Sequence, residues 1–115
     1  MRLVLFGAEQ GREIAAFGSV AFVHTRLAAA QGKAVIGIVR LGPGGSIGRH
    51  PAAAAQLLAV VEGTGAVSGA DGEEQPIGPG VAAVWEPGED HETRTDAGLV
   101  AVVVEAERLD LHTVE

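Results

Sequence analysis

Apolar residues in this chain come in short runs, each closed by glycine or a polar turn, and the runs are too short for helices. Arg2 to Phe6 (RLVLF) predicts a first strand, and polar, glycine-containing Glu9 to Gly18 predicts irregular chain. Ser19 to Leu27 carries β-branched and aromatic residues and predicts a strand, followed by a polar turn over Ala28 to Lys33. Ala34 to Leu41 (AVIGIVRL) is almost wholly apolar, which predicts a strand covered on both faces. Gly42-Pro43-Gly44-Gly45 must turn, because helix and ladder are both penalised there. Pro51 to Ala55 has helix-forming alanines but is too short to hold a helix alone, and it reads as a loop or single turn. It feeds a strand from Gln56 to Glu62, which Gly63-Thr64-Gly65 reverses. Ala66 to Gly69 returns to a turn at Ala70-Asp71-Gly72, where Asp-Gly is a hairpin signal. Further strands are predicted at Glu73 to Ile77, Val81 to Trp85, His91 to Thr95 and Leu99 to Glu105. The charged tail from Ala106 onward carries no assignment.

Many short strands with glycine turns between them predict an all-β sandwich or barrel, and no strand–helix alternation supports a parallel sheet. A length of 115 residues fits one domain, with the barrel over about residues 34–105 and residues 1–33 packing on it or on a partner. Apolar residues make up 47% of the chain but aromatics only 3%, so Val, Leu, Ile and Ala must fill the core. The formal net charge of −7 repels phosphate backbones and gives no attraction to anionic lipid, so neither nucleic acid nor a membrane is expected as a partner. With no cysteine, disulfides, thiolate metal sites and thiol nucleophiles are excluded. The apolar start ends at Gly7, too early for a signal peptide, and no run could span a bilayer. A soluble cytoplasmic protein is expected.

Two segments carry the candidate chemistry. In the first, Gly42 is followed by Pro43 to Ile47, then Gly48, Arg49 and His50, then Gln56, with Gly63 closing the segment. In the second, Gly80 is followed by Val81 to Trp85, Glu86-Pro87-Gly88, Glu89-Asp90, His91 and Thr95. In spacing these segments resemble the two motifs of the cupin family, over about Ala34 to Glu105. The resemblance implies a double-stranded β-helix, often a homodimer, with a site inside the barrel mouth. Four positions depart from the family pattern. Gly48 stands in place of the first histidine, Gln56 in place of the glutamate, Glu86 in place of a proline, and Thr95 in place of the asparagine.

His50 and His91 are therefore the candidate metal ligands, with Gln56 offering an amide oxygen. Imidazole suits Zn, Ni, Mn, Fe or Cu, and water or a small organic ligand would complete the shell. Gln56 could instead hydrogen-bond a histidine, and both faces of its strand are apolar, so alternation alone leaves its direction open. His24 could point into the barrel where Gly48 leaves room, although a partly buried strand histidine is the plainer reading. Gly48 itself could be a loop glycine with positive φ. Trp85 reads as core or pocket lining, Arg40 as solvated, and Glu86, Glu89, Asp90 and Glu92 as a loop cluster that could orient His91. No Ser–His–Asp pattern, nucleophile elbow or phosphate loop is present. Two functions follow: metal-dependent binding of, or chemistry on, a small organic molecule, or a metal-free ligand-binding or sensing module with a degenerate site. A homodimer formed through a barrel edge is expected, with Leu99 to Val104 and the N-terminal strand as candidate edges.

Overall fold

The computed structural model describes residues 1–112. Among these, the chain forms eleven strands, two single-turn 3-10 segments and no α-helix, so no helix is long and apolar enough to cross a membrane. The strands are β1 (Arg2–Leu5), β2 (Arg12–Glu13), β3 (Val23–His24), β4 (Ala28–Leu41), β5 (Ser46–Pro51), β6 (Ala55–Gly63), β7 (Gly65–Ser68), β8 (Gln75–Ile77), β9 (Val81–Trp85), β10 (Asp90–Arg94) and β11 (Leu99–Leu111). They pair antiparallel into a five-stranded sheet, β1-β9-β6-β11-β4, and a four-stranded sheet, β5-β10-β7-β8; β2 and β3 form a separate ribbon.

The two sheets close on one apolar layer. Leu58 and Val60 of β6, Ala83 and Trp85 of β9, and Leu99, Ala101 and Val103 of β11 meet Val67 of β7 and Ile77 of β8. The spacing is every second residue, as strand alternation requires. Each large side chain buried here contributes about 1.5–3 kcal/mol. The alternate residues Leu57, Ala59, Ala82 and Val84 face outward and are covered by Val4, Phe6, Leu27, Leu109 and Leu111. This division settles the direction of Gln56. It shares its row with Leu58 and Val60, so it faces between the sheets.

The largest departure from expectation is the region Ala28 to Lys33, read as a turn. It is instead the first half of β4, because β11 runs on to Leu111 and supplies a partner: Leu109 pairs with Ala30 and Leu111 with Ala28. Gly32 and Lys33 oppose Glu107 alone, a bulge that bends the long ribbon without breaking it. Ala34 to Leu41 is not covered on both faces. It belongs to an edge strand, and Val35, Ile36 (70% exposed) and Ile38 remain open to solvent. Leu99 to Val104, expected at an edge, lies between β6 and β4 and has no free side. Ser19 to Leu27 forms a strand only at Val23–His24. Ser46 to His50, which carry no hydrophobic pattern, and Pro51, expected in a loop or turn, form β5 through its ladder to β10.

Candidate functional site at the histidine pair

β5 and β10 are neighbours in register, with His50 directly opposite His91. Their ring centroids lie 4.5 Å apart. A bulge falls beside this pair, where Gly48 and Arg49 face Glu92 across the shift between His91 and Thr93. It lets both His50 and Ile47 turn toward the core side, since Ile47 packs on the central layer. The Trp85 indole also neighbours His91, with ring centroids 4.6 Å apart at 38°. Trp85 is buried, and its Nε1–H donates to the Ser68 carbonyl at 3.1 Å. Gln56 is the cross-strand partner of Trp85 on β6 and is 8% exposed. The structure thus places His50, His91 and Gln56 around one end of the barrel, with His50 exposed as its open side.

The hydrogen bonds fix what these rings present. The Nδ1 of His50 lies 2.6 Å from the Gly48 carbonyl, and the Nδ1 of His91 lies 3.2 Å from that of Glu89. A carbonyl can only accept, so each neutral ring carries its proton on Nδ1 and keeps a lone pair on Nε2. For His91, 2% exposed, that Nε2 is buried and has no partner. A buried polar atom without a partner is costly and requires a reason.

Burial holds the His91 pKa below the usual histidine value; the carbonyls of Glu89 and His50 and the Glu89 charge pull the other way, and His50 adds to the lowering. The folded state thus favours neutral His91. The unfolded chain takes up a proton near pH 6.5, so below that value it binds more protons than the folded protein. Stability is therefore expected to fall as the pH drops below 6.5 and through the folded pKa. The folded carboxylates with lowered values, Glu74, Glu89 and Asp110, act only further down, below their ordinary 4.5 and 3.8. Denaturant titrations between pH 7.5 and 5 should show this loss in the wild type and a flatter profile in His91→Gln. Parallel profiles would place the titrating group elsewhere.

The remaining candidates separate clearly. His24 is exposed on the β2–β3 ribbon beside Phe22 and does not enter the barrel. Gly48 has no positive φ: it lies in β5, and a Cβ built on it would meet open space. Thr95 donates its Oγ1 proton to the Thr64 carbonyl and accepts the Gly98 N–H, so it clasps a turn instead of facing the histidines. Arg40 is exposed. Of the four acidic residues, Glu89 orients His91 through its carbonyl. Its carboxylate binds the Met1 amine at 2.6 Å and the N–H groups of Ala70 and Glu86. Burial would raise the Glu89 pKa, but these bonds outweigh it and hold it below the ordinary value. A recess of about 790 Å³ lined by Met1, Val84, Trp85, Glu89, Leu109 and Leu111 includes no histidine.

Two imidazole lone pairs and an amide oxygen suit a divalent transition metal, and Nδ1 tied to a carbonyl is the usual arrangement of a ligating histidine. Among the described residues no three His, Cys, Asp or Glu side chains lie close enough to hold a metal between them. Such a site would therefore depend on the Gln56 amide and on exogenous ligands. The inward row of β11 adds a residue that the motif spacing did not single out. Leu99, Ala101 and Val103 face the core, and the next residue in that row is Glu105, partner of Gln56. The signal was present in the alternation, but it needed the β6–β11 register to gain meaning.

Residues 37–110 match the family described as Cupin domain. A search of curated proteins returned no match. Among solved structures, the chain is similar to a protein of unknown function from Rhizobium leguminosarum, with 30% identity and TM-score 0.60 over 70% of this chain and 76% of that one. It is also similar to a double-stranded β-helix protein from Klebsiella pneumoniae, with 20% identity and TM-score 0.60 over 74% and 75%. A third is a predicted oxalate decarboxylase from Thermotoga maritima, with 22% identity and TM-score 0.56 over 68% and 66%. The last two likenesses establish the fold, a double-stranded β-helix, and not a reaction.

Proposed function

The chain belongs to the cupin family, and on that premise we propose that it binds a divalent metal ion at the barrel mouth and there holds a small organic ligand or substrate. Nε2 of His50 and of His91 would hold the ion, with the Gln56 amide oxygen beside them. The observation that carries this reading is the buried Nε2 of His91, unpartnered while its Nδ1 is tied to a carbonyl. A ligand at that atom would offset the cost of leaving it bare. The donor set is uncharged, so a bound ion would keep most of its positive charge and would supply Lewis-acid polarisation of an oxygen ligand. Exposed His50 leaves the open side such a site requires.

A second reading, a metal-free binding module, is favoured by Gly48 and Gln56, which remove an imidazole and a carboxylate from the family's pattern. In that reading the same acceptors bind hydrogen-bond donors of an organic ligand. Elemental analysis of untagged protein, purified without chelator, separates the two. The expected result is close to one equivalent of Zn, Ni, Mn, Fe or Cu per chain, lost in His50→Ala/His91→Ala. No retained metal after reconstitution with each ion would overturn the metal reading and support the second.

A further inference from the structure

Gln56 has an acidic neighbour one strand away. Glu105 of β11 is the direct cross-strand partner of Gln56, and the pairing runs without a shift from Ala101 to Ala106. Neighbouring pairs confirm the faces. Val103 opposite Leu58 packs in the central layer, whereas Leu57, opposite Val104, belongs to the outward cluster. Glu105 therefore stands on the same inward face as Gln56, half-buried. Direct antiparallel partners have Cβ atoms about 4.5–5.5 Å apart, within reach of two long polar side chains. The ion pairs among the described residues, Met1–Glu89, Arg94–Glu74, Arg94–Asp96 and Arg108–Asp110, leave Glu105 uncommitted.

The chemistry of an amide makes this placement consequential. A primary amide has one oxygen acceptor and an NH₂ donor, and nothing in the side chain decides which end turns inward. If the oxygen is to face a cation beside His91, the NH₂ must point away and find an acceptor. The lateral neighbours of Gln56 in the sheet are Trp85, a donor only, and Glu105, an acceptor only.

We infer that Glu105 is a positioning residue of this site: the two side chains are cross-strand partners with no hydrogen bond or ion pair between them, and when the histidines hold a cation the Glu105 carboxylate accepts from the Gln56 NH₂ and turns the amide oxygen toward the ion. This rests on the metal reading proposed above. Partners that orient ligands are typically worth about 10- to 100-fold in metal affinity.

A double-mutant cycle read by Co²⁺ titration calorimetry tests it, using wild type, Glu105→Gln, Gln56→Ala and Gln56→Ala/Glu105→Gln. Glu105→Gln should weaken Co²⁺ about tenfold or more and leave the unfolding midpoint of the metal-free protein in place. In the Gln56→Ala background the same substitution should change the affinity less than about threefold, because nothing remains to orient. Glu105→Asp should recover part of the loss. Wild-type affinity in Glu105→Gln overturns the inference while the metal reading stands. An equal loss in both backgrounds also overturns it, assigning the effect to bulk charge. No Co²⁺ binding by the wild type, with no Zn, Ni, Mn, Fe or Cu retained after reconstitution, removes the metal reading and this inference together.

Discussion

Trp85→Ala is expected to destabilise the protein by about 3–5 kcal/mol, as large-to-small core replacements of aromatic residues do. Trp85 is 1% exposed and belongs to the layer between the sheets. Its removal opens a cavity between the two sheets, leaves the Ser68 carbonyl without its indole donor, and takes away the surface against which His91 packs. Trp85→Phe separates these contributions. It restores much of the volume and the aromatic face but not the N–H, and should cost about 1–3 kcal/mol. Denaturant unfolding measures both. A loss below about 2 kcal/mol for the alanine variant would show that the sheets close over the gap.

Gly63→Ala is expected to cost about 3 kcal/mol or more, although it adds only a methyl group. Gly63 ends β6 at φ +79°, a left-handed conformation that costs an L-residue about 1–2 kcal/mol. A Cβ there would also strike the Gly98 carbonyl and come within 2.9 Å of the Leu99 Cα. That obstacle is backbone, and Leu99 is the ladder partner of Gly63, so relief must disturb the register of the central strand pair. Gly88→Ala isolates the first part: its φ is +83°, but a Cβ would meet open space. It should cost only about 1–2 kcal/mol. Equal losses in the two variants, measured by chemical denaturation, would show that the β6–β11 end yields and that the steric argument fails.

Both predictions depend on features of unequal legibility. The turn glycines could be read from the chain because glycine punctuates apolar runs where few other residues fit. The strands Val81–Trp85 and β6 were evident for a similar reason, since their apolar content has no other outlet. β5 was not. Ser46 to Pro51 has little apolar content and depends on its ladder to β10 for definition. The first half of β4 reads as a turn in sequence because its alanines, Gln31, Gly32 and Lys33 show no strand pattern. A partner far along the chain, Arg108 to Leu111, makes it a strand.

The same division runs through the site. Glycine turns and strand alternation, which are local constraints written into residue types, gave an all-β sandwich or barrel, and the resemblance to the cupin motifs implied the double-stranded β-helix and His50 and His91 as candidates. The direction of Gln56 was not decided, since both faces of β6 are apolar, and apolar residues on a strand between two covered layers carry no directional signal. Only the packing of Leu58 and Val60 against the second sheet resolves it. The exposure of β4, the exclusion of His24 and the placement of Glu105 beside Gln56 likewise follow from which strands become neighbours. Neighbourhood in a barrel is a property of long-range register, and a single strand's sequence does not encode who lies next to it.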